Sequence, residues 1–351
     1  MRRLELRSSY DRLSGVLHRS SISVLACTAL CAGGVLYAVL GTFALNVAAD
    51  IFAVVIFAIG TNFLVGWSGV LAFGQSIFYG LSAYAVAILA IEFHIEIFVA
   101  LLAGLVVSLL AGLVLGPVIL RSRGLYLGLL SVGITQLLEQ LALQGGAFTG
   151  AENGLFGLTL TGWFGSAHGL FAVAFFAAFG CTGVAVFLWR RPFGSFLRAS
   201  RDSPLRAQAM GLKVNFLHFQ AFALSAVICG LAGELGLLVN GGTDPSVFNW
   251  SEGAIPVIAI VIGGLYGLSS PVIGGLLYGT ASQIVSQYTR HWQAVIGVGM
   301  CVAVLVLCQR NSHAATARPT KEHKGLFDRM PMGERQSVGR GGRGEERAMT
   351  A

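Results

Sequence analysis

The histidines and cysteines are the first residues to test for chemistry, because both side chains bind metals and both act in catalysis. The seven histidines are scattered, and no two would share a helix face at metal-ligating spacing. The six cysteines show no metal-site spacing and no disulfide framework. The chain also lacks a Gly-Lys-Ser/Thr phosphate-binding loop and a recognisable nucleophile–base pair. These observations predict a protein that is not an enzyme and that binds no metal or other cofactor.

The basic segment 190–213 contains the signals of a short helix. Asp202 or Ser203 can cap a helix whose first residue is Pro204, since proline is favoured at that position. Gly211 can end the helix in a left-handed conformation. The sequence therefore predicts a helix between two longer apolar stretches.

This predicted helix would be amphipathic, with a small apolar face edged by arginines. Such a face suits docking into a groove on a partner protein. The same pattern also fits an interfacial helix resting on lipid, and local sequence does not separate the two. The residues concerned are Leu205, Ala209 and Met210, with Arg201 and Arg206 at the edges.

Glycines interrupt the apolar stretch 62–84 at Gly66, Gly69, Gly74 and Gly80. This spacing permits a broken helix or a tight re-entry, with the freed backbone groups facing a cavity. Close packing of small residues between helices is the alternative interpretation.

Two acidic residues, Glu139 and Glu234, fall inside apolar stretches. A charged side chain at the centre of a bilayer costs about 2.5–3.5 kcal/mol on insertion scales. Such residues usually face a cavity or a partner. Both are therefore candidates for a transport pathway.

The elements that position these residues must be membrane-spanning helices. The 351 residues are 55% hydrophobic and only 11% charged, whereas soluble domains carry about 25% charged residues. The apolar runs are long and do not alternate, which favours helices over a β-barrel. The sequence predicts an all-α polytopic transmembrane bundle of ten spans. The spans are near 22–45, 47–65, 76–91, 97–120, 124–143, 169–189, 216–239, 254–268, 272–287 and 293–309.

The eighth and ninth of these spans are short and rich in glycine, so a hairpin or broken helices could replace two full crossings. The first span, 22–45, is interpreted as uncleaved because it is too long for a signal peptide.

Lysine and arginine placement predicts that both termini are cytoplasmic. With that orientation every Lys and Arg except Arg290 falls in or beside a cytoplasmic segment, as the positive-inside rule requires. The net charge of +7 is therefore no sign of nucleic-acid binding. The predicted regions are a cytoplasmic segment 1–20, a transmembrane permease domain 21–309 and a disordered basic tail 310–351. The loops predicted outside hold Asp50, Glu92, Glu96, Glu152, Asp244 and Glu252.

Several motifs, in order along the chain, resemble those of the permease subunits of branched-chain amino acid ABC transporters. The resemblance covers about residues 45–308. In the glycine-rich stretch Ala72 replaces the usual Ser and Gln75 the usual His. Other matches lie in 121–126, 149–155 and 262–267. In the basic segment, which resembles the loop before the family's coupling helix, the matching residues are Phe193, Gly194, Leu197, Ala199, Arg201 and Gly211.

The resemblance implies a permease subunit in the bacterial inner membrane that moves branched-chain or related amino acids into the cytoplasm. It implies a second permease subunit (LivH-like), a pair of ATPase subunits that bind ATP and Mg²⁺, a periplasmic substrate-binding protein and membrane lipid as partners. The residues expected to couple to the ATPase are Arg198, Arg201, Asp202, Leu205, Arg206, Ala207, Met210 and Gly211.

Two other functions stay open besides the import of amino acids. One is transport of urea or short amides by a permease of the same family. The other is ATP-independent secondary transport, for which Glu139 and Glu234 are the candidate ion-coupling residues. The expected pathway residues are Gly66, Gly69, Gly74, Gln75, Glu139, Asn153, Gly154 and Glu234.

Overall fold

The computed structural model describes residues 41–288 except 71, 123, 159–161 and 265–266, and also residues 294, 297 and 298. The segments 1–20 and 310–351, most of the predicted span 22–45 and nearly all of the predicted span 293–309 lie outside the described residues. The ten-span count, the three predicted regions and the cytoplasmic position of the termini therefore stay predictions.

The described residues fold into an α-helical bundle, and the predicted fold class is confirmed. The only strands in this part of the chain are the two-residue β1 and β2, which pair antiparallel at Leu155–Phe156 and Gly242–Thr243. The helices are α1 (Thr42–Asn62), α2 (Ser76–Ala87), α3 (Ile97–Ile119), α4 (Leu125–Gln144), α5 (Ala167–Arg190), α6 (Pro192–Asp202), α7 (Pro204–Ala209), α8 (Val214–Asn240), α9 (Trp250–Gly263) and α10 (Ser270–Tyr288).

Among the described residues, five helical segments are long and apolar enough to cross a membrane. The first includes the π-helical turn Phe63–Ser68 that continues α1. Two other apolar helices are shorter than these five segments: α2 with the π-helical turn that continues it to Glu92, and α9. The five segments are Thr42–Ser68, Ile97–Ile119, Tyr126–Gln144, Ala167–Arg190 and Val214–Asn240.

Helix α8 lies at the centre of the bundle, where it packs against α1, α2 and α3. Small residues permit the close approach of these helices. A Cβ atom added at Gly60 of α1 would lie 2.7 Å from Cys229 Sγ of α8. Close helix packing in the core therefore depends on glycines as well as on large apolar side chains.

Helix α3 has one face that packs inside the bundle and an opposite face that is exposed. Five of its six buried residues recur at every fourth position, which places them on one face, and Ile119 is the sixth. The opposite face exposes large apolar side chains, among them Val106, Leu110 and Val114. A membrane protein covers such a face with lipid. The buried stripe consists of Ala100, Gly104, Ser108, Gly112 and Gly116.

The two ends of the bundle differ in charge. The described lysine and arginine residues lie in the connections α3–α4, α5–α8 and their borders, which the helix succession brings to one end, here called the arginine-rich end. The opposite end, called the acidic end, carries β1, β2 and most of the carboxylates. The basic residues are Arg121, Arg190, Arg191, Arg198, Arg201, Arg206 and Lys213.

Four acidic residues expected in outer loops lie in helical segments instead, so that expectation was wrong for them. Glu92 ends the π-helical turn Ile88–Glu92 that continues α2, and Glu152 lies in the short 3-10 turn Ala151–Asn153. Asp50 is in the third turn of α1, and Glu252 is in the first turn of α9. Hydropathy patterns place carboxylates at the ends of spans, but a carboxylate is tolerated within a helix that lines a cavity.

Helices α9 and α10 form a tight hairpin, one of the two alternatives to full crossings that the sequence leaves open for the eighth and ninth spans. Helix α9 has 14 residues, fewer than the roughly 20 that a full crossing needs. A Cβ atom at Gly274 would overlap the carbonyl oxygen of Ala259, and one at Gly263 would overlap that of Ser270. The two helices therefore meet backbone to backbone.

Candidate functional site

The break between α1 and α2 is the first part of the site. The π-helical turn Phe63–Ser68 ends at Gly69, which has a positive φ of 71° and donates its backbone N–H to the carbonyl oxygen of Leu64. The chain then reverses, and α2 begins at Ser76. A non-glycine residue rarely adopts this φ. The predicted interruption of the apolar stretch is thus confirmed.

Next to this break, the segment between α5 and α8 forms two helices rather than a loop followed by one helix. The sequence reading missed α6, although Pro192 at its first position is a helix-start signal. Gly194 lets α6 fold back onto the end of α5, because a Cβ atom there would lie 2.6 Å from the carbonyl oxygen of Leu188.

The second of these helices, α7, begins at Pro204 as predicted. Of the two predicted caps, Ser203 occupies the capping position, although its side chain makes no capping hydrogen bond, and Asp202 ends α6. Gly211 has a φ of 84°, consistent with the predicted helix stop.

Arg201 ties α6 to the break in α1. Its Nη1 donates a hydrogen bond of 2.6 Å to the carbonyl oxygen of Gly66, while Nε and Nη2 lie 3.1 and 3.0 Å from Asp202 Oδ1. The Cγ atom of Arg201 fills the space that a side chain at Gly69 would need, 2.6 Å from the position of such a Cβ. Three residues of the two predicted sets, Gly66, Gly69 and Arg201, are therefore in contact.

Arg198 holds the same helix against α5. Its guanidinium lies 3.7 Å from the ring centroid of Trp189, a cation–π geometry. Burial, with a contribution from the positive charge of Arg201, lowers the pKa of Arg198. Arg198 is thus a packing residue of the segment.

The outer face of α7 is open. Leu205 and Met210 are 79% and 69% exposed, and Arg206 and Ala209 are exposed beside them. Ala207 is fully buried on the opposite face. The exposed apolar face matches the amphipathic helix predicted from sequence.

A cavity of about 760 Å³ lies at the arginine-rich end, directly behind α7. The break in α1, the loop before α4, and helices α4, α6, α7, α8 and α9 each contribute to its wall. Helix α7 therefore has one face on the cavity and another in solvent. Its lining residues include Gly69, Phe73, Ser200, Arg201, Pro204, Gln208, His218, Trp250 and Ala254.

Of the other predicted pathway residues, two pack inside the bundle and two lie near the acidic end. Gly74 and Gln75 are packing positions: a Cβ at Gly74 would lie 2.7 Å from Ser131 Cβ, and buried Gln75 accepts a hydrogen bond of 3.0 Å from Ser225. Asn153 is exposed near the acidic end, and Gly154 there touches the backbone of Thr243.

The two predicted acids also differ. Glu139 accepts hydrogen bonds from Gln136 at 2.7 Å and from Asn249 at 3.3 Å, so it links α4 to the start of α9. Glu234 is 3% exposed and accepts a 2.7 Å hydrogen bond from Ser82. Neither acid lines the cavity behind α7 or a second cavity at the acidic end, and their pathway role stays a prediction.

A second cavity, of about 560 Å³, opens at the acidic end. Its wall includes Asp50, Asp244 and Glu252, together with Thr243, none of which sequence reasoning assigned to a pathway. The clustering could not be read from the sequence because these residues come from α1, the loop after α8 and α9. Across the described residues, no three His, Cys, Asp or Glu side chains are placed to hold a metal ion.

The first turns of α9 separate the two cavities. Trp250 and Ala254 line the cavity at the arginine-rich end, whereas Glu252 and Ile255 line the one at the acidic end. Opposite faces of one helix thus border two compartments. This arrangement can keep a solute on one side until the helix or its neighbours move.

Comparison of the sequence with known proteins finds relatives among transport proteins. Residues 43–305 match the family model described as branched-chain amino acid transport system / permease component. The chain is 27% identical over 280 residues to the high-affinity branched-chain amino acid transport system permease protein LivM of Salmonella typhimurium. That alignment covers 72% of this chain and 65% of LivM, so the chain spans slightly less than two thirds of that relative.

Two further similarities are more distant in sequence or in structure. The chain is 26% identical over 224 residues to the probable branched-chain amino acid transport permease protein LivH of Methanocaldococcus jannaschii, covering 60% of this chain and 67% of LivH. The solved structure of PsaBC from Streptococcus pneumoniae in complex with Fab aligns with 79% of this chain and 94% of that chain, with a TM-score of 0.39 and 15% identity.

Proposed function

Because the chain belongs to the family of permease components of branched-chain amino acid transport systems, we propose that it is the membrane-spanning subunit of an ABC importer. It would move branched-chain or related amino acids across the bacterial inner membrane into the cytoplasm. ATP and Mg²⁺ would be bound by partner ATPase subunits, a second permease subunit would complete the path, and a periplasmic binding protein would deliver the substrate.

The observation that carries this proposal is the position of α7 between solvent and cavity. Pro204 and Gln208 line the cavity, while Leu205 and Met210 are largely exposed. A partner that grips the exposed face can therefore displace the cavity wall without entering the cavity. An amphipathic helix held in a groove is a common mode of such docking.

The contacts of α6 supply the rest of the transmission. Arg201 connects α6 to the carbonyl oxygen of Gly66, at the end of a helix that lies in the core of the bundle. Movement of α6 and α7 would thus be passed to the break between α1 and α2, beside the cavity. In this proposal ATP binding by the partners changes which cavity is open.

Uptake of labelled leucine into proteoliposomes tests the function. The vesicles hold this chain with a LivH-like permease, the ATPase pair and an external binding protein. We expect uptake that requires internal ATP. R206E, on the exposed face of α7, should abolish most of it, whereas R190E, an exposed arginine at the end of α5, should leave it close to wild type.

Three outcomes separate the alternatives. Uptake that is indifferent to ATP would contradict the importer and favour secondary transport. Uptake of urea but not leucine would keep the importer and change its substrate. Equal loss in R206E and R190E, with the complex still assembled, would remove α7 as the docking helix and leave the transport function standing.

A further inference from the structure

Three segments of the bundle each extend from one cavity to the other. On α1 and the π-helical turn that continues it, Phe57 lines the cavity at the acidic end and Ser68 lines the cavity at the arginine-rich end. Phe73, just before α2, lines the cavity at the arginine-rich end, and Tyr79 on α2 lines the other one. The first turns of α9 are the third such segment. Residues midway along these three segments therefore separate the two cavities.

Helix α9 meets the start of α2 at this midpoint. A Cβ atom at Gly253 would overlap the carbonyl oxygen of Phe73 and would lie 3.1 Å from Ser76 Oγ. Gly253 stands between Glu252, which lines the cavity at the acidic end, and Ala254, which lines the other. Ser76 lies midway between the two cavity-lining residues of its own segment. This contact of Gly253 with Phe73 and Ser76, here called the seam, leaves no room for a solute between α2 and α9.

Buried polar atoms without partners lie at this boundary. Ser76 and the adjacent Gln75 are fully buried, and within the described part of the chain Ser76 Oγ and Gln75 Nε2 have no hydrogen-bond partner. Asn62 is 3% exposed, and its Oδ1 is unpaired among the same residues. Buried polar groups are nearly always paired, so a group of unpaired ones calls for an explanation.

Asn62 lies on the side of α1 that faces α9. Ala58, one turn earlier on α1, packs in one buried cluster with Val257 and Ile260 of α9. Residues four positions apart lie on the same face of a helix, so Asn62 also faces α9. Its unpaired oxygen therefore belongs to the same boundary between the cavities as the seam.

The first turn of α9 is weakly tied to the rest of that helix. Pro256 lies inside α9 and has no backbone N–H, so the carbonyl oxygen of Glu252 lacks the usual helical donor four residues later. Prolines inside helices are common sites of kinks. Gly253 lies on the N-terminal side of Pro256, so a displacement of the first turn would separate Gly253 from Ser76.

We propose that the seam of Gly253, Phe73 and Ser76 is the closed gate of the transport path between the two cavities. When the first turn of α9 moves away from α2, the Ser76 hydroxyl, the Gln75 amide and the Asn62 carbonyl oxygen come into contact with the path. They then form hydrogen bonds with the passing solute and its water, which explains why they have no partners while the gate is closed. The inference rests on the proposed transport function and adds the place at which the path is closed.

Substitution of Ser76 separates a role in the path from a role in packing. Because Ser76 Oγ has no partner to lose, S76A should resist unfolding by SDS at least as well as wild type. Its leucine uptake per assembled complex should fall about fivefold, the effect of one lost hydrogen bond. S108A is the matched control, at an equally buried serine that donates to the Leu105 carbonyl oxygen at 2.9 Å. S108A should lose stability and keep an uptake close to wild type.

A thiol reagent measures access to the seam and provides the test if S76A fails to insert. In proteoliposomes that hold the complete complex, the small cationic reagent methanethiosulfonate ethylammonium should block uptake by S76C. It should leave S108C like the wild-type chain, which carries the same native cysteines. Uptake that is lost no faster in S76C than in S108C would overturn the inference. An S76A variant that transports like wild type, or that loses stability as S108A does, would also overturn it.

The gate and the proposed function fail separately. ATP-independent uptake that the reagent still blocks in S76C would contradict the importer and keep the gate. ATP-driven leucine uptake that is unchanged in S76A, and insensitive to the reagent in S76C, would contradict the gate alone.

Discussion

The contact between Arg201 and Gly66 is expected to hold the α6–α7 segment in place, and R201M tests it. Methionine keeps an apolar stem beside Gly69 but removes all donors. The guanidinium contact to the Gly66 carbonyl is a short, charge-assisted hydrogen bond at 2.6 Å, and such bonds contribute about 1.5–3 kcal/mol. The side chain of Arg201 is only 20% exposed, which limits replacement of this bond by water.

The contribution of the neighbouring ion pair can be subtracted with D202N. The Asp202 side chain is 65% exposed, so its pair with Arg201 should contribute about 0–1 kcal/mol. We therefore expect R201M to lower the free energy of unfolding by about 2–3 kcal/mol and D202N by less than about 1 kcal/mol. R190M, at an exposed arginine with no described contact, should change it by no more than about 0.5 kcal/mol.

The assay is unfolding of the purified chain in mixed micelles by titration with SDS, followed by leucine uptake per ATP hydrolysed in the reconstituted complex. R201M should lower this ratio more than D202N does, because the link from α6 to the helix break is lost. R201M and D202N that are equally stable would refute the reasoning, since the Gly66 contact would then contribute nothing beyond the surface ion pair.

Two further substitutions test the packing of the core by the same titration. E234A should destabilise the chain by about 1–3 kcal/mol because it leaves the buried Ser82 hydroxyl without its acceptor. E234Q keeps an acceptor for that hydroxyl and should lose less stability. Equal stability of E234A and E234Q would contradict the role of the Ser82 hydrogen bond. G274A should lose about 1–3 kcal/mol because its methyl group would overlap the carbonyl oxygen of Ala259. The matched change G180A, in open space on α5, should be neutral or stabilising, and a G274A variant as stable as G180A would speak against the tight hairpin.

Local signals in the sequence were enough to predict much of the helical architecture. Pro204 and Gly211 predict the bounds of α7, and they do so because each restricts the backbone at its own position. The glycines around Gly69 predict the break after α1 for the same reason. Such residues act through local sterics, so they can be interpreted without knowledge of the fold.

The contacts that complete the site could not be predicted in this way. Arg201 and Gly66 are separated by 135 positions in the chain, and nothing at either position indicates the other. Asp50 and Glu252 were expected in outer loops because each lies close to the start of a predicted span. Only the packing of α1, α8 and α9 brings them to one cavity, which is a property of the tertiary structure.

The thin wall formed by the first turns of α9 has an electrical consequence. A helix with its side chains is about 10 Å across, whereas the hydrocarbon core of a bilayer is about 30 Å thick. If the two cavities are hydrated and open to opposite sides of the membrane, the voltage would fall mainly across this wall, and the field there would be about three times steeper than in the surrounding lipid. Glu252, which lines one side of the wall, would then lie in that field, and a charged solute that passes Trp250 would cross most of the voltage within the width of one helix.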